Sequence, residues 1–188
     1  MYLRLQENNM ALGLKRGTVV VEPHKVEWEI AAQDIIDILK RVLKEDIIDA
    51  QHIGSTSIKN ICAKPIIDIV IGISSFDKIM KYKDALNVKG IIYRGEDHPN
   101  QHLFVCGDLE NDIHTHYIHV VIWGQESWNN YLNMRDYLNS HEDRAKEYSE
   151  LKERLAKDYS EDRMAYTNGK ALLIKDILRC AEEWRKHQ

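Results

Sequence analysis

The sequence predicts an α+β protein in which a mixed β-sheet with flanking helices is followed by a C-terminal helical layer. Through residue 124, short β-branched runs alternate with segments whose apolar residues recur at the spacing of an amphipathic helix. From Glu126 onward the spacing is helical, and we expect about three helices there. A chain of 188 residues can bury one normal core. We therefore predict a single domain over residues 1–188, with the α/β core at about 18–124 and the helices at 125–188.

The first half of the chain contains the clearest elements. The β-branched run Thr18–Val21 predicts a short strand. An apolar stripe over about 28–43, with charged residues opposite, predicts a helix of about four turns. Ile47–Ile53 and Ile66–Ile73 are predicted strands, and the second, which is the more apolar, is expected to lie inside the sheet. Phe76–Leu86 is predicted to form a short helix.

The elements of the second half are less sharply marked. Three further strands are predicted, at Gly90–Tyr93, Leu103–Cys106 and Tyr117–Trp123. The polar segment Arg94–His102 is expected to be a loop between the first two of them. Ser140 and Ser160 are predicted helix N-caps, the second of them for the last helix. That helix is expected to bury Ala165, Leu172, Leu173, Ile177, Ala181 and Trp184.

The composition argues against several classes of protein. A net charge of −4 and a pI near 6.1 are not those of a dedicated nucleic-acid binder. No apolar run approaches the length of about 18 residues that indicates a membrane span, and the N-terminus lacks the pattern of a signal peptide. The cysteines Cys62, Cys106 and Cys180 lie far apart, which is typical of reduced thiols. We therefore expect a cytoplasmic protein that binds neither nucleic acid nor a membrane.

One carboxylate, Asp68, interrupts the most apolar run of the chain. A buried charge is unfavourable unless another group pairs with it, so this residue is the first candidate for function. A turn whose backbone N–H groups can hold a phosphate is predicted at Gly54, Ser55, Thr56 and Ser57. Asp68 would then hold a divalent cation, Mg²⁺ or Mn²⁺, that bridges the phosphates. The alternative is a tight structural turn with Asp68 paired to Lys64 or to a neighbour on an adjacent strand.

Five motifs follow one another along the chain: HIGSTSI with AKPIIDI, YRGE, YIHVV, MRDYL, and DRMAY with Lys170. In order and spacing, over roughly residues 18–175, they resemble the GrpB family. The resemblance implies a nucleotidyltransferase-like fold followed by helices, with a nucleotide or another phosphate-bearing small molecule as ligand. That family also occurs fused to dephospho-CoA kinase as an accessory domain, which makes this kinase a candidate partner.

Two positions depart from the pattern of active nucleotidyltransferases. That pattern places a second acid two residues after the first, on the same face of the strand, where this chain has Val70. A third acid is expected on another strand, and the best match by position is His119, between Ile118 and Val120. A metal centre of three carboxylates is therefore not visible in this sequence.

Asp68, His119 and Glu96 remain as candidate catalytic residues, with the first two as candidate metal ligands. A set of oxygen and imidazole ligands suits Mn²⁺, Zn²⁺ or Fe²⁺ better than Mg²⁺. Alternatively, His119 hydrogen-bonds Asp68 and no metal is involved. His114 and His116 share the other face of the strand, and we expect them to form a solvent-exposed strand entry.

Basic and aromatic side chains supply the candidate phosphate contacts, which are Lys64, Arg135, Arg163, Tyr166 and Lys170. Tyr166 and Lys170 lie four residues apart and share one helical face. A cationic face of this kind would close over the phosphates of a ligand. The alternative is that Arg135 or Asp136 forms salt bridges that dock the C-terminal helices on the sheet.

Three functions are compatible with these patterns. The first is a nucleotidyltransferase-like enzyme that acts on a small acceptor. The second is a non-catalytic binding or accessory module that keeps the fold and the cleft, which Val70 favours. The third is a transition-metal hydrolase that uses His119 with Asp68 or Glu96.

Overall fold

A mixed β-sheet organises the structure, a computed structural model that describes residues 12–188. The strands found there are β1 (Leu14–Lys15), β2 (Asp49–Ile53), β3 (Ile67–Ile73), β4 (Ile92–His98), β5 (Gln101–Asp108) and β6 (Ile113–Ile122). They lie in the order β2-β3-β6-β5-β4, and β1 pairs with the start of β6. β3 and β6 run parallel, whereas the other pairs are antiparallel. Residues 1–11, where we expect no signal peptide, lie outside the described residues.

Three helices cover one face of the sheet. They are α1 (Glu27–Leu43), α2 (Phe76–Met80) and α3 (Lys83–Asn87). Side chains alternate across a strand, so Ile67, Ile69 and Ile71 of β3 all turn toward this face. There they share one core with Trp28 and Leu39 of α1. The apolar stripe predicted over about 28–43 is therefore the surface that buries the most apolar strand, as the sequence pattern indicates.

The other face is covered by the C-terminal helices α4 (Glu126–Ser140), α5 (Glu142–Asp158), α6 (Arg163–Gly169) and α7 (Ala171–Arg185). Val70 of β3 and Val121 of β6 pack against Trp128 of α4 on this side. The alternation that turns Val70 toward the helices also turns Asp68 toward them, because the two residues are two positions apart. The predicted α+β class, with a mixed sheet, flanking helices and a C-terminal helical layer, is confirmed.

The predicted strand Thr18–Val21 is wrong. The segment forms no strand, and the residue that follows it, Glu22, makes an isolated bridge with Ala63. Val19 is buried against Leu155 and Tyr166 of the C-terminal helices, so the segment packs on helices and has no neighbouring strand. A β-branched run favours extended backbone, but a strand also requires a partner strand.

The helix predicted over Phe76–Leu86 is two short helices, α2 and α3. Asp46 accepts a hydrogen bond from the Tyr82 hydroxyl at the break and forms ion pairs with Lys78 and Lys81. These contacts hold the chain in a turn between the two helices. The sequence periodicity does not reveal the break, because it depends on a residue from another part of the chain.

The loop predicted over Arg94–His102 is also wrong, since most of it belongs to the hairpin of β4 and β5. Pro99 and Asn100 alone form the turn. β4 is an edge strand, and much of its end, from Glu96 to His98, is exposed. A strand at the edge of a sheet can carry polar side chains and still pair through its backbone. Such a strand shows no alternation of apolar and polar residues, so the sequence pattern does not predict it.

The C-terminal segment forms four helices, not three, in the part of the chain that the structure describes. The predicted N-caps are wrong, because Ser140 ends α4 and Ser160 lies before α6 without capping it. Asp162 caps α6 instead, and its Oδ1 accepts a hydrogen bond of 2.9 Å from the backbone N–H of Ala165. Leu172, predicted to be buried, is 85% exposed. Among these and the other described helices, none has the length and apolarity to cross a bilayer.

Asp162→Ala is expected to lower the free energy of unfolding by about 1 kcal/mol, the usual effect of losing an N-cap. Ser160→Ala is the matched control, because the carbonyl of Ser160 accepts from Val19 but its side chain caps no helix. Urea denaturation followed by circular dichroism measures both variants. A loss for Ser160→Ala as large as for Asp162→Ala would contradict the assignment of the cap.

Candidate functional site

Asp68 and His119 meet on the helix-covered face of the sheet. The two residues lie on the parallel neighbours β3 and β6, where His119 is the register partner of Val70. The distance between Asp68 Oδ1 and His119 Nε2 is 3.4 Å. Their side chains are 31% and 15% exposed, so both are partly accessible to solvent. The structure thus brings together the two residues that the sequence nominated as catalytic groups and metal ligands.

A second layer of side chains holds the far edge of the His119 ring. Gln101 Nε2 lies 3.3 Å from His119 Nδ1, and Gln101 Oε1 accepts a hydrogen bond of 2.8 Å from the Tyr131 hydroxyl. The rings of His119 and Tyr131 are 5.3 Å apart between centroids. Gln101 Nε2 also contacts the carboxylate of Asp97 at 3.2 and 3.3 Å. His119 is therefore fixed on both edges.

Gly54 lies directly against Asp68. Its φ of 69° and ψ of −171° fall in a region that only glycine occupies readily. A Cβ at this position would lie 2.5 Å from Asp68 Oδ2 and 2.9 Å from Asp68 Cβ. Glycine therefore lets the backbone turn approach the carboxylate.

The side chains of the predicted phosphate-binding turn contact protein groups. The turn is a short 3-10 segment, Ser55–Ser57. The Ser57 hydroxyl donates to the Gly54 carbonyl at 2.7 Å, and Thr56 Oγ1 lies 2.9 Å from His52 Nε2. Thr56 is buried. These contacts stabilise the turn beside Asp68.

Three positive side chains, Lys64, Arg163 and Lys170, form what we term the cation cluster. Lys64 Nζ and Lys170 Nζ lie 5.5 and 4.7 Å from the centre of the Tyr166 ring. Arg163 Nη1 donates to the Tyr117 hydroxyl at 3.1 Å. The cluster assembles from the segment before β3, from α6 and from the α6–α7 junction. Only the tertiary structure brings these segments together.

The electrostatics of the cation cluster are unfavourable in the absence of an anion. The pKa of Lys64 is lowered to about 8, chiefly by burial and then by the charges of Lys170 and Arg163, while Asp68 opposes the change. The pKa of Lys170 is lowered as well, chiefly by burial. Asp68 is the register partner of Tyr117, which Arg163 contacts, so the cluster borders the carboxylate. Within residues 12–188, no carboxylate lies at ion-pair distance from any of the three cations.

Arg135, another predicted phosphate contact, occupies a different position. Its Nη1 donates to Gln51 Oε1 at 2.9 Å and to the His52 carbonyl at 3.1 Å, both on the edge strand β2. Its Nε pairs with Asp136, which also pairs with Arg185 of α7. These contacts favour the alternative in which Arg135 and Asp136 dock the helices on the sheet.

Glu96 is not brought to the Asp68–His119 pair. Its side chain is exposed on the β4–β5 hairpin, where Oε1 accepts a hydrogen bond of 3.0 Å from the backbone N–H of Asn100. The neighbouring Asp97 is the hairpin carboxylate that reaches the site, through Gln101. Strand alternation and the turn geometry decide which of the two exposed acids reaches Gln101.

The residues present do not fit a tightly bound divalent cation. Among the described residues, no three His, Cys, Asp or Glu side chains converge on one point. Val70, two positions after Asp68 on the same face of β3, offers no ligand atom and is fully buried with Ile53, Val121 and Trp128. A hydrolase that uses His119 with Asp68 or Glu96 would likewise lack a third ligand in this part of the chain.

The predicted solvent-exposed strand entry at His114 and His116 is wrong, because both side chains are buried. Burial lowers the pKa of His116 to about 4, and the pKa of His114 is lowered for the same reason. β6 begins at Ile113, earlier than the sequence indicates, and His116 is flanked there by β3 and β5. Both histidines are therefore part of the interior.

Two residues near the site were not predicted from the sequence. Gln101 falls in a segment predicted as a loop, and Lys152 lies among the many charged residues of α5. Lys152 is 1% exposed, donates to the Cys62 carbonyl and lies 4.5 Å from the centre of the Tyr148 ring. Burial lowers its pKa to about 7. The signal that could have found Lys152 is its spacing, four residues after Tyr148 and three before Leu155, which places it on the buried stripe of α5.

Comparisons with known proteins agree with the motifs. A family model described as GrpB protein matches residues 18–180. The chain is 35% identical over 170 residues to the glutamate-rich protein GrpB of Alkalihalophilus pseudofirmus, which covers 89% of this chain and 98% of that protein. It is 33% identical over 161 residues to the UPF0157 protein YqkA of Bacillus subtilis, which covers 85% of this chain but 46% of that protein.

A solved structure is similar over nearly its whole length. The crystal structure of the conserved protein GrpB from Enterococcus faecalis superposes with a TM-score of 0.81 at 27% sequence identity. The superposition covers 88% of this chain and 99% of that chain. The similarity therefore includes both the sheet and the helices that cover the site.

Proposed function

The chain belongs to the GrpB family, and on that basis we propose that it binds a phosphate-bearing small molecule, a nucleotide foremost. The ligand would lie beside Asp68, between the sheet and the C-terminal helices. The observation that supports this proposal is the cation cluster of Lys64, Arg163 and Lys170 beside Asp68.

The chemistry of the cation cluster selects a polyanion. The charges of Lys170 and Arg163 lower the pKa of Lys64, and the charge of Arg163 lowers that of Lys170, so the cluster gains free energy when an anion enters between the three cations. Asp68 supplies a single negative charge, which leaves the site with net positive charge. A diphosphate or triphosphate chain matches this charge better than a single carboxylate does, and Arg163 offers the planar donors that suit phosphate oxygens.

Nucleotidyl transfer is the reaction that this arrangement supports. The acceptor hydroxyl gives its proton to Asp68, and its oxygen attacks the α-phosphorus of the nucleotide. The bond from that phosphorus to the oxygen bridging to the β-phosphate breaks, and pyrophosphate leaves. The cation cluster stabilises the charge on the phosphate oxygens.

A second function is favoured by one observation, the burial of Val70 where active relatives of the superfamily carry an acid. On this alternative the protein is a binding or accessory module without catalysis, and dephospho-CoA kinase is its proposed partner. Co-purification of tagged protein with that kinase, and the refolding yield of the kinase with and without it, test the pairing. No association and an unchanged yield would contradict it.

Lys170→Met is expected to weaken nucleotide binding at least tenfold, because a charge-assisted contact to phosphate contributes about 1.5 kcal/mol or more. Lys175→Met is the matched control, since Lys175 is exposed on the adjoining helix α7. Isothermal titration calorimetry with ATP, GTP, CTP, UTP and inorganic triphosphate measures the affinities. Absence of binding to the wild type, or equal losses in the two variants, would contradict the proposed ligand class.

Pyrophosphate release separates the two functions. The same nucleotides are incubated with Mg²⁺ or Mn²⁺ and a mixture of small hydroxyl acceptors, for the wild type and for Asp68→Asn. Release that requires Asp68 supports nucleotidyl transfer. Binding without release supports the accessory module.

A further inference from the structure

The amide of Gln101 uses its hydrogen-bonding capacity within the protein. The residue is 3% exposed. Its Oε1 accepts from the Tyr131 hydroxyl at 2.8 Å. Its Nε2 lies 3.2 and 3.3 Å from the two carboxylate oxygens of Asp97, and 3.3 Å from His119 Nδ1. Gln101 thus joins the exposed hairpin, the α4 helix and the histidine of the candidate site.

The partners determine which way the amide points. An ionised carboxylate only accepts hydrogen bonds, so the NH₂ group of Gln101 must face Asp97. A reversed amide would place its oxygen against the carboxylate and would leave the Tyr131 hydroxyl facing a donor. The neighbours of Gln101 therefore leave one favourable orientation.

This orientation assigns the proton on His119. The NH₂ group has two hydrogens, and Asp97 receives one of them, so the other points to His119 Nδ1. A nitrogen that accepts a hydrogen bond carries a lone pair and no proton. The single N–H of the neutral ring is then on Nε2, from which it is directed at Asp68 Oδ1, 3.4 Å away.

We propose that Gln101 is a positioning residue that holds His119 in the Nε2–H tautomer, so that His119 donates a hydrogen bond to Asp68. This inference rests on the proposed function in one respect only: the function explains why the Asp68–His119 pair would need this tautomer. A neutral donor stabilises Asp68 as a carboxylate that can receive a proton from an acceptor hydroxyl. In this tautomer Nε2 has no lone pair for a metal, which agrees with a donor set that does not fit a divalent cation.

Nuclear magnetic resonance of the ligand-free, ¹⁵N-labelled protein tests the proposal directly. Long-range ¹H–¹⁵N correlation of the imidazole rings distinguishes protonated from lone-pair nitrogens, and loss of one spin system in His119→Asn assigns the residue. At pH 7.5 we expect a lone pair on Nδ1 and a proton on Nε2. A proton on Nδ1 in the wild type would overturn the proposal.

Two variants test the role of Gln101. Gln101→Glu replaces the donor facing Nδ1 by an acceptor, so Nδ1 is expected to become protonated. Asp97→Asn alters only an exposed side chain and allows the Gln101 amide to turn. Part of the His119 population is therefore expected to shift to the Nδ1–H tautomer. Tyr131→Phe is the control that keeps the donor, and its Nδ1 signal should not move. An unchanged Nδ1 signal in both Gln101→Glu and Asp97→Asn would overturn the role.

The affinity for inorganic triphosphate distinguishes a failure of this inference from a failure of the proposed function. Asp97→Asn leaves the cation cluster unchanged, so its affinity for triphosphate is expected to stay within twofold of the wild type. Failure of the wild type to bind triphosphate would refute the ligand class and leave the tautomer assignment intact. A loss of more than twofold in Asp97→Asn would count against a role confined to positioning His119.

Discussion

Gly54→Ala is expected to destabilise the protein by about 3 kcal/mol and to displace Asp68. At φ 69° and ψ −171° an alanine is strained, which costs about 1–3 kcal/mol. In addition, its Cβ would lie 2.5 Å from Asp68 Oδ2 and 2.9 Å from Asp68 Cβ. One of the two segments must shift, at an added cost of about 1–3 kcal/mol. Because the shifted group is the carboxylate of the site, nucleotide binding should also weaken.

Gly124→Ala separates the two contributions to this loss. Gly124 has a similar φ of 74°, but a Cβ there would meet no atom within 4 Å. The Gly124→Ala variant should therefore show the effect of backbone strain alone, a loss of about 1 kcal/mol in the free energy of unfolding, with unchanged ligand binding. Urea denaturation and calorimetric titration with inorganic triphosphate measure both effects. Equal losses of stability in the two variants would refute a collision with Asp68.

Lys152→Met is expected to raise the free energy of unfolding by about 2 kcal/mol at pH 6. Burial lowers the pKa of Lys152 from its ordinary value of 10.5 to about 7. Holding the charged amine in the interior therefore opposes folding by up to about 5 kcal/mol at acidic pH. Loss of the hydrogen bond to the Cys62 carbonyl offsets part of the gain, since an unsatisfied buried group costs about 1–3 kcal/mol.

The pH dependence gives this prediction its sharpest test. Between pH 7 and pH 10.5 the unfolded chain binds a proton at Lys152 that the folded protein does not bind. The wild type should therefore gain stability from Lys152 as the pH rises through this window, and the advantage of the variant should vanish by the upper end. Lys157→Met, exposed on the same helix α5, should show no such trend. An advantage of Lys152→Met that does not depend on pH would contradict the assigned pKa.

Much of the sheet and its first helix could be predicted from local patterns. The run Ile66–Ile73 is apolar at nearly every position because β3 is buried on both faces, and α1 matches its predicted bounds because its stripe faces that strand. Asp68 could be nominated because a carboxylate in such a run is unfavourable without a partner. Elements whose form depends on distant contacts, such as the break between α2 and α3 at Tyr82, could not be placed in this way.

The sequence by itself determined the fold class, the strand that carries Asp68 and the apolar residue at position 70, because periodicity and residue type are local properties of the chain. Only the tertiary structure decided which charges reach that carboxylate. Lys64, Arg163 and Lys170 converge beside it, Arg135 binds the edge strand, and Gln101 comes from the polar hairpin to hold His119. The physical reason is that helix packing selects these neighbours. Helices dock through their apolar residues, and the charged side chains between those residues are carried to positions that no local pattern records.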